Sequence, residues 1–159
     1  MPDEVERVRK YIAECGLPAE IVTFAESTES SELAAAALGC SVSEIAKSVV
    51  FTGAATYVVV VSGDMRVSTS KLSSALGSKV RLAPRNEVKK LTGYAAGGVP
   101  PFPHNGEVRT LIDTSLKRFK HVWTAGGETN SVFRIPVKRL IELAGGAEVS
   151  VSEQLADKS

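Results

Sequence analysis

The sequence predicts a single-domain mixed α/β fold in which helices flank a sheet of mixed strand direction. Three observations predict it. The chain has 159 residues and a mass of 16.8 kDa, the length of one ordinary domain. Amphipathic helical periods alternate along it with short β-branched runs. Some neighbouring strands are joined by tight turns and others by a single helix, so the sheet is mixed and not uniformly parallel. Hydrophobic residues make up 43% and charged residues 23%, which excludes disorder, collagen-like repeats and coiled coil. At this length about 70% of the extended-chain surface can be buried, so the core needs no disulfide or metal to hold it.

Val5, Val8, Ile12 and Cys15 recur at helical spacing among charged residues, and Gly16 and Pro18 stop that helix. Ile21 to Phe24 reads as a short strand. A second helix runs from about Ser30 to Leu38 and closes at Gly39; its alanines, Ala34 to Ala37, imply close packing against a neighbour. Ser41 and Glu44 have capping-box spacing and open a single helical turn. Ser48 to Phe51 is already β-branched and aromatic, which places Lys47 where the turn hands over to a strand. Tyr57 to Val61 is near-continuously apolar, the pattern of a strand buried on both faces. Ser62-Gly63-Asp64 turns the chain. A third helix covers about Ser68 to Leu76, Val80 to Leu82 is a strand, and Pro84 fits the first position of a fourth helix ending near Gly93. After a long loop come strands at Thr110–Asp113, His121–Ala125 and Ser131–Ile135. Pro136 then starts a helix carrying Leu140, Ile141 and Leu143. Ala147 to Val151 reads as a last edge strand, and the tail after Ser152 is expected to fray. No linker or internal repeat divides residues 1–159.

No apolar run approaches the roughly 20 residues that span a bilayer. The start, Met1-Pro2-Asp3-Glu4, is acidic where a signal peptide would be basic. Cys15 and Cys40 lack CxxC spacing and read as small reduced core residues, so the protein is expected to be cytoplasmic, with no membrane partner. A GxSxG elbow, a Walker A loop, an HExxH pair and a strand-borne GxGxxG are all missing. With only His104 and His121 beside two scattered cysteines, neither a metal nor a cofactor is expected.

The formal charge of +1 conceals a division along the chain. Residues 1–45 hold nine acids and three bases, a net of −6, whereas residues 46–159 hold sixteen bases and nine acids, a net of +7. Lys79, Arg81, Arg85, Lys89 and Lys90 form one basic stretch. Lys117, Arg118, Lys120, Arg134, Lys138 and Arg139 form another. Such stretches are either solvated helix faces or a face turned toward a polyanion.

Residues 93–106 are the most unusual segment, holding four of the thirteen glycines and three of the seven prolines. Glycine lets a backbone approach a ligand and adopt positive φ, and proline stiffens the path around it. Such a loop is either an irregular crossover or a device that aims N–H and C=O groups at a substrate. Lys47 alone reads first as a solvated lysine. Its apolar neighbours, Ile45-Ala46 and Val49-Val50-Phe51, would leave only the ammonium tip polar, where an anion or ligand would be welcome.

Glu44-Ile45-Ala46-Lys47-Ser48-Val49-Val50-Phe51, followed by Thr92-Gly93-Tyr94 and Gly97-Gly98-Val99-Pro100-Pro101-Phe102, resembles the YbaK/prolyl-tRNA synthetase-associated editing domain family. The resemblance continues through Thr124-Ala125-Gly126-Gly127 and Val132-Phe133-Arg134-Ile135 and covers about residues 3–151. It implies a single domain whose mixed sheet curves toward a barrel, and a metal-free, trans-acting hydrolase that cleaves the ester of a mischarged tRNA. The implied partner is the acceptor end of an aminoacyl-tRNA, bound by a monomer or homodimer. Carried over by position, the family lysine is Lys47 and the GxxxP loop runs from Gly97 to Pro101. Lys47, Gly97 and Gly98 are then the catalytic candidates, the lysine holding a phosphate or polarising the substrate. The loop backbone would position the ester and a water, helped by a substrate ribose hydroxyl. Val99, Pro100 and Pro101 would contact substrate, as would Phe24 and Thr28 on one wall and Asn130 and Ser131 on the other; core packing is an equal reading of Phe24. Pro100 replaces the Ser or Thr common in the family, and no acid occupies the 132–134 strand, where some members carry one. An alternative is a non-catalytic tRNA- or nucleotide-binding module of the same fold; a hydrolase of another small activated ester would leave the basic stretches without a use.

Overall fold

A computed structural model describes residues 3–155. Its helices are α1 (Asp3–Glu14), α2 (Ser31–Leu38), α3 (Thr69–Leu76), α4 (Val88–Thr92) and α5 (Val137–Leu143). The strands are β1 (Val22–Thr23), β2 (Ile45–Thr52), β3 (Thr56–Ser62), β4 (Met65–Val67), β5 (Arg81–Leu82), β6 (Val108–Asp113), β7 (His121–Ala125), β8 (Ser131–Pro136), β9 (Glu148–Val149) and β10 (Ser152–Gln154). The main sheet has eight strands in the order β1-β8-β7-β2-β3-β6-β9, with β5 attached to β2 beside that path. It is mixed, as the connections require: β2 runs antiparallel to β3 but parallel to β7, and β3 runs parallel to β6. The sheet stays open, with β1 and β9 at its ends, and approaches a barrel without closing.

The centre of the sheet is β3. Val58, Val59, Val60 and Val61 are fully buried because the sheet is covered on both sides there. Val58 and Val60 join the larger core with Val8 and Ile12 of α1, Tyr94, Val99, Phe102, Phe133 and Leu140. Val59 faces the other way, onto Phe51, Tyr57 and Leu72 of α3. A third, smaller cluster seats Ala34 and Ala35 of α2 on Ile45. The alanine helix therefore packs closely through two of its alanines, while Ala36 and Ala37 face outward. Cys15 and Cys40 are free thiols and only half-buried, less interior than expected.

Three local expectations need correction. The strand after the Ser41–Glu44 turn starts at Ile45, so Lys47 lies inside β2 and not at its threshold. Pro84 precedes a separate 3-10 turn, Arg85–Glu87, and α4 begins only at Val88. Met65–Val67, a segment without a strand signal of its own, is a strand. It exists because residues 152–154, expected to be frayed, pair with it antiparallel, Ser152 opposite Val67 and Gln154 opposite Met65. A two-stranded ribbon formed by segments 85 residues apart leaves little local trace in sequence.

A buried carboxylate anchors that ribbon. Asp113, at the end of β6, is fully buried; it accepts hydrogen bonds from the Ser115 amide at 2.9 Å and the Val151 amide at 2.8 Å. Burial pushes its pKa up, but hydrogen bonds from Ser115, Val151 and Ser152 outweigh this and hold it below the ordinary 3.8. A native pKa below the unfolded one contributes stability above pH 4 that is lost as pH falls through the native value. Asp113→Asn should therefore cost about 1–3 kcal/mol at pH 7, because an amide cannot accept both bonds as a carboxylate does. The gap from the parent protein should narrow below pH 4. Urea denaturation at pH 7 and pH 3 checks this; equal gaps at the two pH values would remove the charge from the account.

Candidate functional site

One edge of β2 pairs with β3 from Ala46 to Thr52, and two short strands share the other edge. Ile45 and Ala46 pair with Trp123 and Thr124 of β7, and Phe51 and Thr52 pair with Leu82 and Arg81 of β5. The Val50 carbonyl accepts from the Ala83 amide at 2.9 Å. Between the two attachments, Lys47, Ser48 and Val49 have no strand on this edge among the described residues. Here the sheet is interrupted, and a cleft of about 300 Å³ opens. Its walls come from the segment entering α2 (Thr28 to Glu32), from β2 (Ile45 to Val49), from β7 (Trp123 to Ala125), and from Arg85, Gly97 and Val99.

Strand alternation assigns each β2 side chain to a wall. Lys47 shares a face with Ile45, which lies under α2, and with Val49, which packs beside Phe51. Ser48 shares the opposite face with Ala46 and Val50 of the larger core. Burial pushes the Lys47 ammonium below the ordinary lysine pKa of 10.5, and the carboxylates of Glu32 and Asp64 oppose that shift. Among the described residues, no carboxylate lies within 4 Å of it. It is a half-buried cation held near negative charge with no ion pair of its own.

The glycine-rich loop reaches the cleft because glycine is required twice. Gly97 has φ +89°, and a Cβ there would lie 2.6 Å from Cβ of Glu29. A Cβ on Gly98 would lie 2.8 Å from the carbonyl carbon of Glu128. The loop is thus wedged between the α2 entrance and the 126–131 turn. The Gly98 amide donates to Ala95 O at 2.9 Å, whereas the amides of Gly97 and Val99 donate to no protein acceptor among the described residues. Behind the loop, Tyr11 of α1 packs on Phe102 at 5.4 Å, and the Arg7 guanidinium lies over the Tyr94 ring at 4.9 Å. His104 Nε2 donates to the Pro100 carbonyl at 2.7 Å, and burial keeps that imidazole below its ordinary pKa of 6.5.

Of the residues singled out in the sequence, the structure brings Lys47, Gly97, Val99 and Thr28 to the cleft. Pro100 and Pro101 are buried and lie outside its lining. Gly98 also lies outside the lining and rests on Glu128. The Phe24 amide donates to Asn130 O at 2.9 Å, and Asn130 Nδ2 donates to Phe24 O at 2.8 Å, so these two residues clasp each other. The Ser131 hydroxyl accepts from the Glu128 amide at 2.9 Å and closes the turn under Gly98.

Sequence reasoning missed the polar lining contributed by Ser31, Ser48 and Thr124. Their hydroxyl oxygens are buried without a hydrogen-bond partner among the described residues, and all three residues line the cleft. A buried hydroxyl without a partner costs about 1–3 kcal/mol, so three in residues around one cleft set this region apart. No sequence signal identifies them, because serine and threonine are common and their burial depends on the gap in the sheet. Among the described residues, no group of three or more His, Cys, Asp and Glu side chains is placed to hold a metal ion. No described helix is long and apolar enough to cross a membrane.

The chain matches the aminoacyl-tRNA editing domain family over residues 25–143. It is 33% identical over 142 residues to the uncharacterized protein YwhH of Bacillus subtilis (strain 168), covering 88% of this chain and 90% of that protein. It is 34% identical to a protein whose crystal structure is that of a proposed trans-editing enzyme for prolyl-tRNA synthetase; the TM-score is 0.88, over 96% of this chain and 99% of the other. The crystal structure of hypothetical protein APE2540 is similar at 34% identity and a TM-score of 0.87, over 92% of this chain and 99% of that one.

Gly97→Ala should destabilise the protein by about 1–3 kcal/mol, since a left-handed alanine is strained and its methyl meets Glu29. Equilibrium urea denaturation measures this. A variant as stable as the parent would show that the loop does not press on the α2 entrance.

Proposed function

The chain belongs to the aminoacyl-tRNA editing domain family, and from that premise we propose that it is a trans-acting deacylase of mischarged tRNA whose chemistry occurs in the cleft at the interrupted edge of β2. The observation that carries this reading is the joint lining of that cleft by an unpaired, half-buried lysine, a wedged glycine loop with free amides and three partnerless hydroxyls. An aminoacyl ester offers a matching set of groups: a nearby phosphate for a cation, an α-ammonium for an anion, and a carbonyl oxygen that becomes negative during attack.

In this mechanism Lys47 holds the terminal phosphate or polarises the ester, and Glu29 and Glu32 face the α-ammonium. Water attacks the ester carbonyl carbon, and the developing oxyanion accepts hydrogen bonds from the Gly97 and Val99 amides. Collapse breaks the bond to the ribose oxygen, which takes up the proton lost by the water with help from the neighbouring ribose hydroxyl. The products are a free amino acid and a tRNA with a free terminal hydroxyl. The ester is already activated, so positioning and dipoles can supply the rate without a covalent nucleophile; one oxyanion donor is worth about 3 kcal/mol. Gly98 acts by letting the loop approach Glu128, and Pro100 and Pro101 stiffen it from behind. Phe24, Asn130 and Ser131 hold the opposite turn in place, and Thr28 borders the aminoacyl group.

A panel of correctly and incorrectly charged tRNAs, followed by loss of the amino acid, tests the activity. Lys47→Ala should slow deacylation at least tenfold and leave the melting temperature within a few degrees of the parent. An unchanged rate would remove Lys47 from the mechanism. If the parent cleaves no charged tRNA yet binds it with an affinity that falls steeply with salt, the non-catalytic tRNA- or nucleotide-binding module is favoured.

Thr124→Val separates function from folding. Removing a partnerless buried hydroxyl should leave stability unchanged or raise it by about 1 kcal/mol. The same change should lower kcat/KM for the cleaved aminoacyl-tRNA at least fivefold. Full activity in this variant would mean that the hydroxyl does not meet the substrate.

A further inference from the structure

The two basic stretches, equivalent in sequence, differ in the structure. In the second, Lys117 pairs with Glu148 at 2.9 Å, Arg118 with Asp64 at 2.8 Å and Arg139 with Glu142 at 2.7 Å. Half of its cations thus have a carboxylate within 3 Å on the protein's own surface. In the first, Arg85 alone has a carboxylate partner among the described residues, Glu29 at 3.4 Å across the mouth of the cleft, and both side chains are substantially exposed. Such a pair is worth little and opens readily. Lys79, Arg81, Lys89 and Lys90 are exposed, with no ion pair among the described residues.

Placement adds to the difference. A shallow groove of about 500 Å³ lies beside the cleft, lined by Arg85, Asn86, Lys89, Ala95, Ala96 and Thr129. Arg85 lines both, and the glycine loop forms the wall between them, with Ala95–Ala96 toward the groove and Gly97 and Val99 toward the cleft. The groove thus adjoins the cleft at Arg85 and is bordered by two cations and an amide, with small alanines along its floor. A chain entering the cleft by its end and carrying one negative charge per residue would find its next charges matched there.

We propose that the Arg85–Lys89 groove is the track on which the single-stranded 3′ end of an RNA lies as its terminal residue enters the cleft. This rests on the deacylase reading for the identity of the terminal group, but the RNA contact can be measured without it. Arg85 exchanges its Glu29 partner for a phosphate as the strand seats, which opens the mouth of the cleft, and Lys89 meets the next phosphate outward. The contacts are to the backbone, so they position the strand without reading its bases.

The test uses the full chain and uncharged total tRNA, with binding followed by fluorescence of the single tryptophan, Trp123, which lines the cleft. Lys89→Glu is compared with Lys138→Glu, an exposed and unpaired cation of the other stretch. Lys89→Glu should weaken binding at least fivefold and reduce the slope of log K against log salt by about 0.7, the value for one single-strand phosphate contact. Lys138→Glu should bind as the parent does. A direct filter-binding measurement gives the same affinity if Trp123 emission is silent. Absence of tRNA binding by the parent, parent-like binding by Lys89→Glu, or equal weakening by both variants would each overturn the track. The two readings fail separately. Binding that depends on Lys89 without cleavage of any charged tRNA leaves the track standing and ends the deacylase reading, whereas undiminished cleavage and binding by Lys89→Glu does the reverse.

Discussion

The site depends on a mismatch of strand lengths. β2 has eight residues, but the two strands sharing its outer edge pair with only two residues each, β7 at the start and β5 at the end. Of the four residues between them, Lys47, Ser48 and Val49 have no strand neighbour on that edge among the described residues, and Val50 accepts only from the Ala83 amide. A fully paired edge would bury Lys47, Ser48 and Val49 against another backbone and leave no cleft. The interruption is tolerable because β3 pairs with seven consecutive β2 residues on the other side and is itself completely buried. Continuity on one edge permits the gap on the other.

What fills the gap is mostly main chain, and main chain must be held from outside. Gly97 and Gly98 have no side chains to anchor them, so their position comes from what touches them and from Tyr94, Val99 and Phe102, which are buried in the larger core on either side. Glu29 presses on Gly97, Glu128 on Gly98, and α1 contributes Tyr11 and Arg7 from behind. The 126–131 turn that supports Gly98 is closed by the Ser131 hydroxyl and tied to the chain entering α2 through Asn130 and Phe24. Residues remote from the cleft lining therefore determine its shape. Preorganised dipoles of this kind need no reorganisation when charge develops next to them, which suits chemistry on an activated ester.

Charge is distributed on the same principle. Carboxylates that stabilise the fold are matched: Asp113 by amides, and Asp64 by Arg118 and the Ser62 hydroxyl. At the cleft the matching stops. Lys47 feels Glu32 and Asp64 without an ion pair, and Arg85 makes only a long one to Glu29. Three of the six buried polar side-chain atoms without a partner among the described residues gather at this interruption, while Arg7 Nη1, Thr52 Oγ1 and Tyr94 Oη lie elsewhere.

Sequence alone determined a good deal. Helical spacing of Val8 and Ile12, the unbroken valines of β3 and the Ser–Glu spacing before β2 are local patterns, and local patterns suffice to place elements. The odd composition of residues 93–106 and the segment around Lys47 were visible for the same reason, as was the family resemblance they carry. Only the tertiary structure decided that β2 is interrupted, that residues 152–154 pair with 65–67, and which basic stretch has half of its cations paired with carboxylates. It also decided that Ser31, Ser48 and Thr124 are buried without partners, while Ser131 and Asn130 are engaged in holding a turn. These outcomes rest on contacts between segments far apart in the chain. A hydroxyl or an ammonium has the same local signature whether its partner is present or missing, so only the folded arrangement distinguishes a satisfied group from one that awaits a ligand.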